Sequence, residues 1–137
     1  MDEIFDCWTV GKKENDYASL FKEWHQHDIS NWVRRDRNHP SIILWSTGNE
    51  VDEQYHPETG IARHLTELVH QYDTTRPVTF GASYPSLSAM NGTELQVDVH
   101  GMNYAAGCYG GLISTAIFSI RKVTNIWPDF PARAVLP

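Results

Sequence analysis

The sequence holds no apolar run approaching the roughly 20 residues that a membrane-spanning helix needs. It has no basic excess either. Lys and Arg total 11 against 17 Asp and Glu, a formal net charge of -6, which argues against nucleic acid or an anionic membrane as a partner. Cysteine is scarce: Cys7 and Cys108 are a lone pair, far apart in sequence. The first residues include Asp2, Glu3 and Asp6 where a secretion signal would be basic and then apolar. With no such signal in view, both thiols are expected to stay reduced in the cytoplasm rather than to pair. There is no internal repeat and no low-complexity tract. What is there, 137 residues with 41% hydrophobic and 12% aromatic content, suits one ordinary globular domain.

Residues 1–8 read as the end of a strand running into a loop, and Gly11 to Asp16 as a polar connector. Tyr17, Leu20, Phe21, Trp24 and Asp28, continued by Ile29 and Trp32, fall at helical spacing; His39-Pro40 should end that helix, because proline disfavours a helical residue before it. Ser41 to Ser46 is a short branched apolar run without alternation, the pattern of a parallel strand buried on both faces. Ile61, Leu65, Leu68, Val69 and Tyr72 make one stripe of a second helix, with Arg63, His64 and Glu67 off it. Strands are expected again over Pro77–Gly81 and Val97–Tyr104. The succession of βα units points to an α/β fold with a parallel sheet.

In parallel α/β proteins the functional groups sit at the C-terminal ends of strands. Asn49 and Glu50 stand at such an end, just after Gly48. A carboxylic acid placed there can protonate a leaving-group oxygen once its surroundings raise its pKa. The neighbouring amide offers a donor and an acceptor to a sugar hydroxyl. Trp8 and Trp45 offer flat apolar faces for sugar rings. A lone Glu after a strand is more often a solvated loop residue, so the surrounding text has to carry the assignment.

That text, Val33-Arg34-Arg35-Asp36-Arg37-Asn38-His39-Pro40-Ser41-Ile42-Ile43-Leu44-Trp45-Ser46-Thr47-Gly48-Asn49-Glu50, resembles the signature of glycoside hydrolase family 2, the β-galactosidases, β-glucuronidases and β-mannosidases. Met1-Asp2-Glu3 with Phe5-Asp6-x-Trp8, Asp73-x-Thr75-Arg76-Pro77-Val78-Thr79 and Gly101-x-Asn103-Tyr104 agree in order, so the likeness covers residues 1–104 and is closest to bacterial β-galactosidase-like members. It implies a (β/α)8 TIM barrel of which the chain holds roughly strands three to six. It implies a retaining hydrolase of β-linked carbohydrate with Glu50 as acid/base and Asn49 on the sugar's 2-hydroxyl. Tyr104 is a candidate to face the sugar, Arg35 to hold the site carboxylates, and His39 and Trp8 to contact substrate; Asp2 and Glu3 are candidates to line the site. No cofactor and no metal ion are implied.

Two features depart from the pattern. The family's nucleophile is a second Glu at the end of the seventh strand, and after Tyr104 the only acid is Asp129, in Trp127-Pro128-Asp129-Phe130-Pro131. Through Tyr104 there are 16 acidic and 8 basic residues; from Ala105 onward there are 1 and 3. Residues 105–137 are therefore expected to be a degenerate or frameshifted, irregular tail. A barrel needs about 250 residues, so the chain is expected to be a truncated, inactive copy. The alternative is a non-catalytic sugar-binding or assembly fragment, with the missing barrel half in an adjacent chain.

Smaller signals take bland readings. His25-x-His27 on a helix points its rings roughly 200° apart, which does not suit a metal. Arg34, Arg35 and Arg37 lie among Asp28 and Asp36 and read as a solvated or ion-paired face. Asn91-Gly92-Thr93 fits a glycosylation sequon but is most simply a turn.

Overall fold

The structure is a computed structural model that describes residues 1–104. The expected tail, and with it Cys108 and Asp129, lies outside the described residues.

Four strands form one sheet: β1 (Asp2–Glu3), β2 (Trp45–Asn49), β3 (Val78–Ala82) and β4 (Gly101–Met102). They stand side by side in sequence order and every neighbouring pair is parallel. Parallel neighbours need long crossovers. Here α1 (Ala18–Asp36), α2 (Ile61–His70) and α3 (Pro85–Asn91) supply them. The α/β reading with a parallel sheet is thus what the chain adopts.

Helix α1 forms where the apolar spacing said it would, burying Phe21, Ile29, Trp32 and Val33. Its entry is held by Asp16, whose carboxylate accepts from the backbone N–H of Ala18 at 3.0 Å and of Lys12 at 2.6 Å. It closes on Arg37 N–H to Val33 O, before Pro40. Helix α2 buries Leu65, Leu68 and Val69 and leaves Arg63, His64 and Glu67 outside. Its first N–H groups would be orphaned, because no side chain at Gly60 can cap them. Glu53 does it instead: buried at 2% exposure, it accepts from Ile61 N at 2.6 Å, Ala62 N at 3.1 Å and Thr59 Oγ1 at 2.7 Å.

Strand boundaries required correction. The apolar run from Ser41 is not the strand; β2 begins at Trp45, and Ile43 is 63% exposed. The ladder can start only where both partners exist, and Trp45 is the residue paired with Asp2 on one side and Val78 on the other. The strand expected over Val97–Tyr104 shrinks to β4 because residues 97–99 are used differently. Asp98 and Val99 both donate their N–H to Val78 O, and the Asp98 carboxylate accepts from Val78 N at 2.9 Å. Helix α3 was not expected. Pro85 in its first turn and Gly92 behind it at φ +83° are the start and stop signals that mark it.

The core lies between the sheet and the helices: Trp45, Val78, Phe80 and Ala82 meet Ile29, Trp32 and Val33 of α1 and Leu65 and Val69 of α2. The Trp32 and Trp45 rings meet edge to face at 4.8 Å. Each of the valines, leucines, isoleucine and phenylalanine among them stabilises the fold by about 1.5–3 kcal/mol through burial alone. This core fixes the strands, and so fixes where their C-terminal ends point.

Candidate active site

The ends of β2, β3 and β4 bring together residues far apart in sequence. Asn49 closes β2, after a register shift between Ser46 and Asn49. Glu50 then turns out of the sheet with φ +50°, and its N–H donates to Gly81 O at 2.6 Å. A left-handed glutamate is uncommon and costs on the order of 1–2 kcal/mol, a kind of strain that clusters at functional sites. Asn103 follows β4 and is tied to β3 by its N–H to Ala82 O at 2.8 Å. Its Nδ2 donates to Asn49 Oδ1 at 2.8 Å and to Glu50 Oε1 at 2.9 Å. An amide nitrogen has two protons, and both are committed here, so the orientation of Asn103 is determined by its partners.

Gly81 makes the arrangement possible. A Cβ at that position would lie 3.0 Å from Asn49 Oδ1 and 3.1 Å from Asn103 Oδ1, inside ordinary contact. On the far side, Asn49 Nδ2 reaches Asp6 Oδ1 at 3.4 Å, and Lys12 Nζ donates to Asp6 at 3.0 Å and to Asn49 O at 2.6 Å. Two carboxylates, two amides and an ammonium thus cluster at the end of β2.

Tyr104, also left-handed at φ +59°, brings its phenol to the Glu50 carboxylate's side. Its influence, and then that of the Asn103 amide, holds the Glu50 carboxyl below the usual range. The same contact pushes the Tyr104 phenol up. Asp6 is also lowered, first by its bond to Lys12. Glu50 is therefore poised as an anion, ready to accept a proton. To act as an acid it needs a raising influence, either desolvation by a bound ligand or a second carboxylate close by.

The other sequence candidates lie elsewhere. Trp8 is 2% exposed; its indole N–H donates to Thr47 O at 2.8 Å and its ring packs edge-on to Phe80. Trp45 is fully buried, with its N–H on Asp73 at 2.9 Å. Neither presents a face to a sugar ring; both are core residues satisfied by buried acceptors. Arg35 ends α1 and grips Asp36 through Nε at 2.9 Å, not a strand-end carboxylate. His39 lies in the turn before β2, its N–H on Asp36 O. Because α1 runs back along the sheet, Arg35 and His39 are at the N-terminal end of the strands, opposite Glu50. Asp2 is bonded by Trp32 Nε1 at 2.9 Å and Glu3 by Ser46 Oγ at 2.5 Å; with Arg35 they line a groove of about 590 Å³ along the outer side of β1. Asn103, Gly81, Asp6 and Lys12 were the residues sequence reasoning did not assign. Gly101-x-Asn103-Tyr104 was the signal for the first of them.

His25 and His27 do not combine, and no group of three His, Cys, Asp or Glu among the described residues could hold a metal. No helix among them is long and apolar enough to cross a membrane. Cys7 is a buried free thiol whose pKa is pushed up by burial and then by Asp16. Asn91 and Thr93 are tied into the turn after α3, Asn91 Nδ2 on Gln54 O at 2.6 Å.

The family model for glycosyl hydrolases family 2, TIM barrel domain, matches residues 7–115 of this chain. The chain belongs to glycoside hydrolase family 2. A β-galactosidase of Bacteroides ovatus is 54% identical over 55 residues, 40% of this chain and 6% of that protein. A β-glucuronidase of Streptococcus agalactiae is 30% identical over 136 residues, 93% of this chain and 22% of its own length. Among solved structures, a family 2 member from Bacteroides cellulosilyticus superposes with a TM-score of 0.69 at 39% identity, over 85% of this chain and 15% of that one. The chain thus spans about a twentieth to a fifth of the relatives it matches. Family 2 membership agrees with a site at the C-terminal ends of parallel strands, which is where Asn49 and Glu50 lie.

Proposed function

We propose that the chain is the acid/base portion of a retaining, β-galactosidase-like family 2 glycosidase, acting on a terminal β-linked sugar in carbohydrate metabolism. The observation that carries this is the single amide of Asn103 holding Asn49 and Glu50 side by side at the ends of three parallel strands. The unreversed strand order supports reading the sheet as a wall of the barrel, its strands corresponding to the third to sixth. In the first step Glu50 gives its proton to the glycosidic oxygen as a second carboxylate attacks the anomeric carbon. In the next, Glu50 as anion takes a proton from water as that water's oxygen bonds to the anomeric carbon, which breaks the bond to the second carboxylate and releases the sugar. The two carboxyls of a retaining pair stand about 5–5.5 Å apart. The anionic poise of Glu50, held by Tyr104 and Asn103, is that of the second step. Asn49 is assigned to the sugar's 2-hydroxyl and Tyr104 to the substrate side of Glu50.

These 137 residues by themselves are proposed to be inactive, since four described strands do not close a barrel that takes about 250 residues. A second reading keeps the chain as a sugar-binding or assembly piece completed by a partner chain; the groove of about 590 Å³ beside β1, lined among the described residues by Asp2, Glu3 and Arg35, favours it. Assay of the chain on nitrophenyl β-galactoside tests both. Turnover that Glu50→Gln abolishes would overturn the proposed inactivity and keep Glu50 as acid/base; sugar binding without turnover supports the fragment reading. Turnover unchanged by Glu50→Gln would remove Glu50 from the mechanism.

A further inference from the structure

Two tyrosines stand beside this site without a role. Tyr55 follows a 3₁₀ turn (Asp52–Gln54) in the loop after β2, and Tyr84 precedes α3 in the loop after β3. Both loops leave the C-terminal ends of adjacent strands, one of them the loop that begins with Glu50. The ring centroids are 5.7 Å apart and tilted by 59°, and the residues are 50% and 56% exposed. Among the described residues Phe5, Trp8, Phe21, Trp32, Trp45 and Phe80 are all in the core, and Trp24 and Tyr104 are the other aromatic rings left exposed.

The pair is built, not incidental. Gln54, fully buried, pins the two loops to each other: its Oε1 accepts from Tyr84 N at 3.0 Å, and its Nε2 donates to Val51 O at 2.9 Å and Ser83 Oγ at 3.3 Å. Asn91 Nδ2 then donates to Gln54 O at 2.6 Å, which fastens the end of α3 to the same point. Burying an amide side chain costs free energy unless each of its groups is bonded, and here they are. The outcome is a fixed spacing between two rings that are each about half exposed. The Tyr55 phenol, pushed up by burial and then by Tyr84, also feels the charge of Glu50, which places it within electrostatic reach of that carboxylate.

We propose that Tyr55 and Tyr84 form an aromatic platform for the sugar ring on the leaving-group side of Glu50, with Gln54 as its positioning residue. A pyranose presents a flat patch of C–H groups that packs on an aromatic face, and a pre-set pair of rings binds it without ordering cost. The proposal rests on Glu50 being the acid/base, because that is what defines the leaving-group side. It predicts selectivity for what lies beyond the scissile bond: a β-linked disaccharide should bind better than the methyl glycoside of the same sugar.

The test uses the full chain with Glu50→Gln, so that binding is read without hydrolysis. Disaccharides with galactose, glucuronate or mannose at the non-reducing end, and the three methyl glycosides, are titrated while the tyrosine ring resonances are followed by NMR. At least one disaccharide should shift the Tyr55 and Tyr84 signals and bind about tenfold more tightly than its methyl glycoside, a difference of about 1.4 kcal/mol. Tyr55→Ala, Tyr84→Ala and Gln54→Ala should each erase most of that difference and leave the methyl glycoside unaffected; Tyr55→Phe and Tyr84→Phe should keep it, because a ring face and not a hydroxyl is at work. A methyl glycoside that binds as well as its disaccharide, or a disaccharide advantage that survives both alanine variants, overturns the platform while leaving Glu50's assignment standing. A disaccharide advantage that persists although Glu50→Gln leaves turnover unchanged overturns the leaving-group placement, because Glu50 is then not the acid/base.

Discussion

Asp73→Asn should cost the fold about 2 kcal/mol at neutral pH, and almost nothing at pH 2. The Asp73 carboxylate is 6% exposed and collects four donors: Trp45 Nε1 at 2.9 Å, Arg76 Nη1 at 2.7 Å, Thr75 N at 2.8 Å and Thr75 Oγ1 at 2.6 Å. Burial works against its charge, but the Thr75, Arg76 and Trp45 donors outweigh it and hold the pKa at about 2, against 3.8 for the free group. A gap of nearly two units is worth about 2 kcal/mol of stability, at 1.36 kcal/mol per unit. The sign follows from the depressed value. The contribution is complete above the unfolded pKa near 3.8, and is lost as pH falls through the folded value near 2. Asparagine keeps the shape and one acceptor oxygen but removes the anion facing Arg76. Urea unfolding of the chain and the variant at pH 7, 5, 3.5 and 2.5 gives the difference in stability at each pH. It should be constant from pH 7 to 5 and then shrink. A difference that stays constant to pH 2.5, or is absent at pH 7, would show that the charge of Asp73 contributes nothing and that its donors merely satisfy a polar group.

At the site, Asn103→Ala removes a donor from the Glu50 carboxylate, so the Glu50 pKa should move up toward its ordinary value; carboxyl ¹³C titration reads this, and a downward or absent shift would refute the contact. Gly81→Ala puts a methyl group 3.0–3.1 Å from the Asn49 and Asn103 amide oxygens, which must separate. It should destabilise by about 1–3 kcal/mol in denaturant unfolding and should lose the Asn103 side-chain amide shift in NMR spectra.

The parts of the fold that could be read in the sequence were those with a period. Both long helices declared themselves through apolar spacing, and the signature ending at Glu50 identified the strand end. What failed were questions of partner and place. Ser41 to Leu44 is as apolar as a strand, yet the ladder waits for Asp2 and Val78. Trp8 and Trp45 were candidates for sugar faces because a sequence does not reveal that an indole N–H already has a buried acceptor, here Thr47 O and Asp73. Arg35 and His39 belong to the signature in sequence, but β2 lies between them and Glu50. Its length from Trp45 to Asn49, at about 3.3 Å per residue, puts them some 13 Å away at the wrong end of the sheet. Asn103 was quoted as part of a motif and given no role, since its use depends on two strands that meet only in three dimensions.

The bond from Asn103 to Glu50 spans 53 positions of chain. A side chain at the end of a five-residue strand therefore takes this pose only when a two-residue strand near the end of the described region has docked. Closing that loop carries an entropic cost that the local helices do not bear, and nothing local to Glu50 offsets it. The carboxylate's geometry is accordingly a gauge of assembly: α1 and α2 can be in place during synthesis or refolding while Glu50 is still unset. A partly built chain of this family would hold its fold's periodic elements and lack its chemistry.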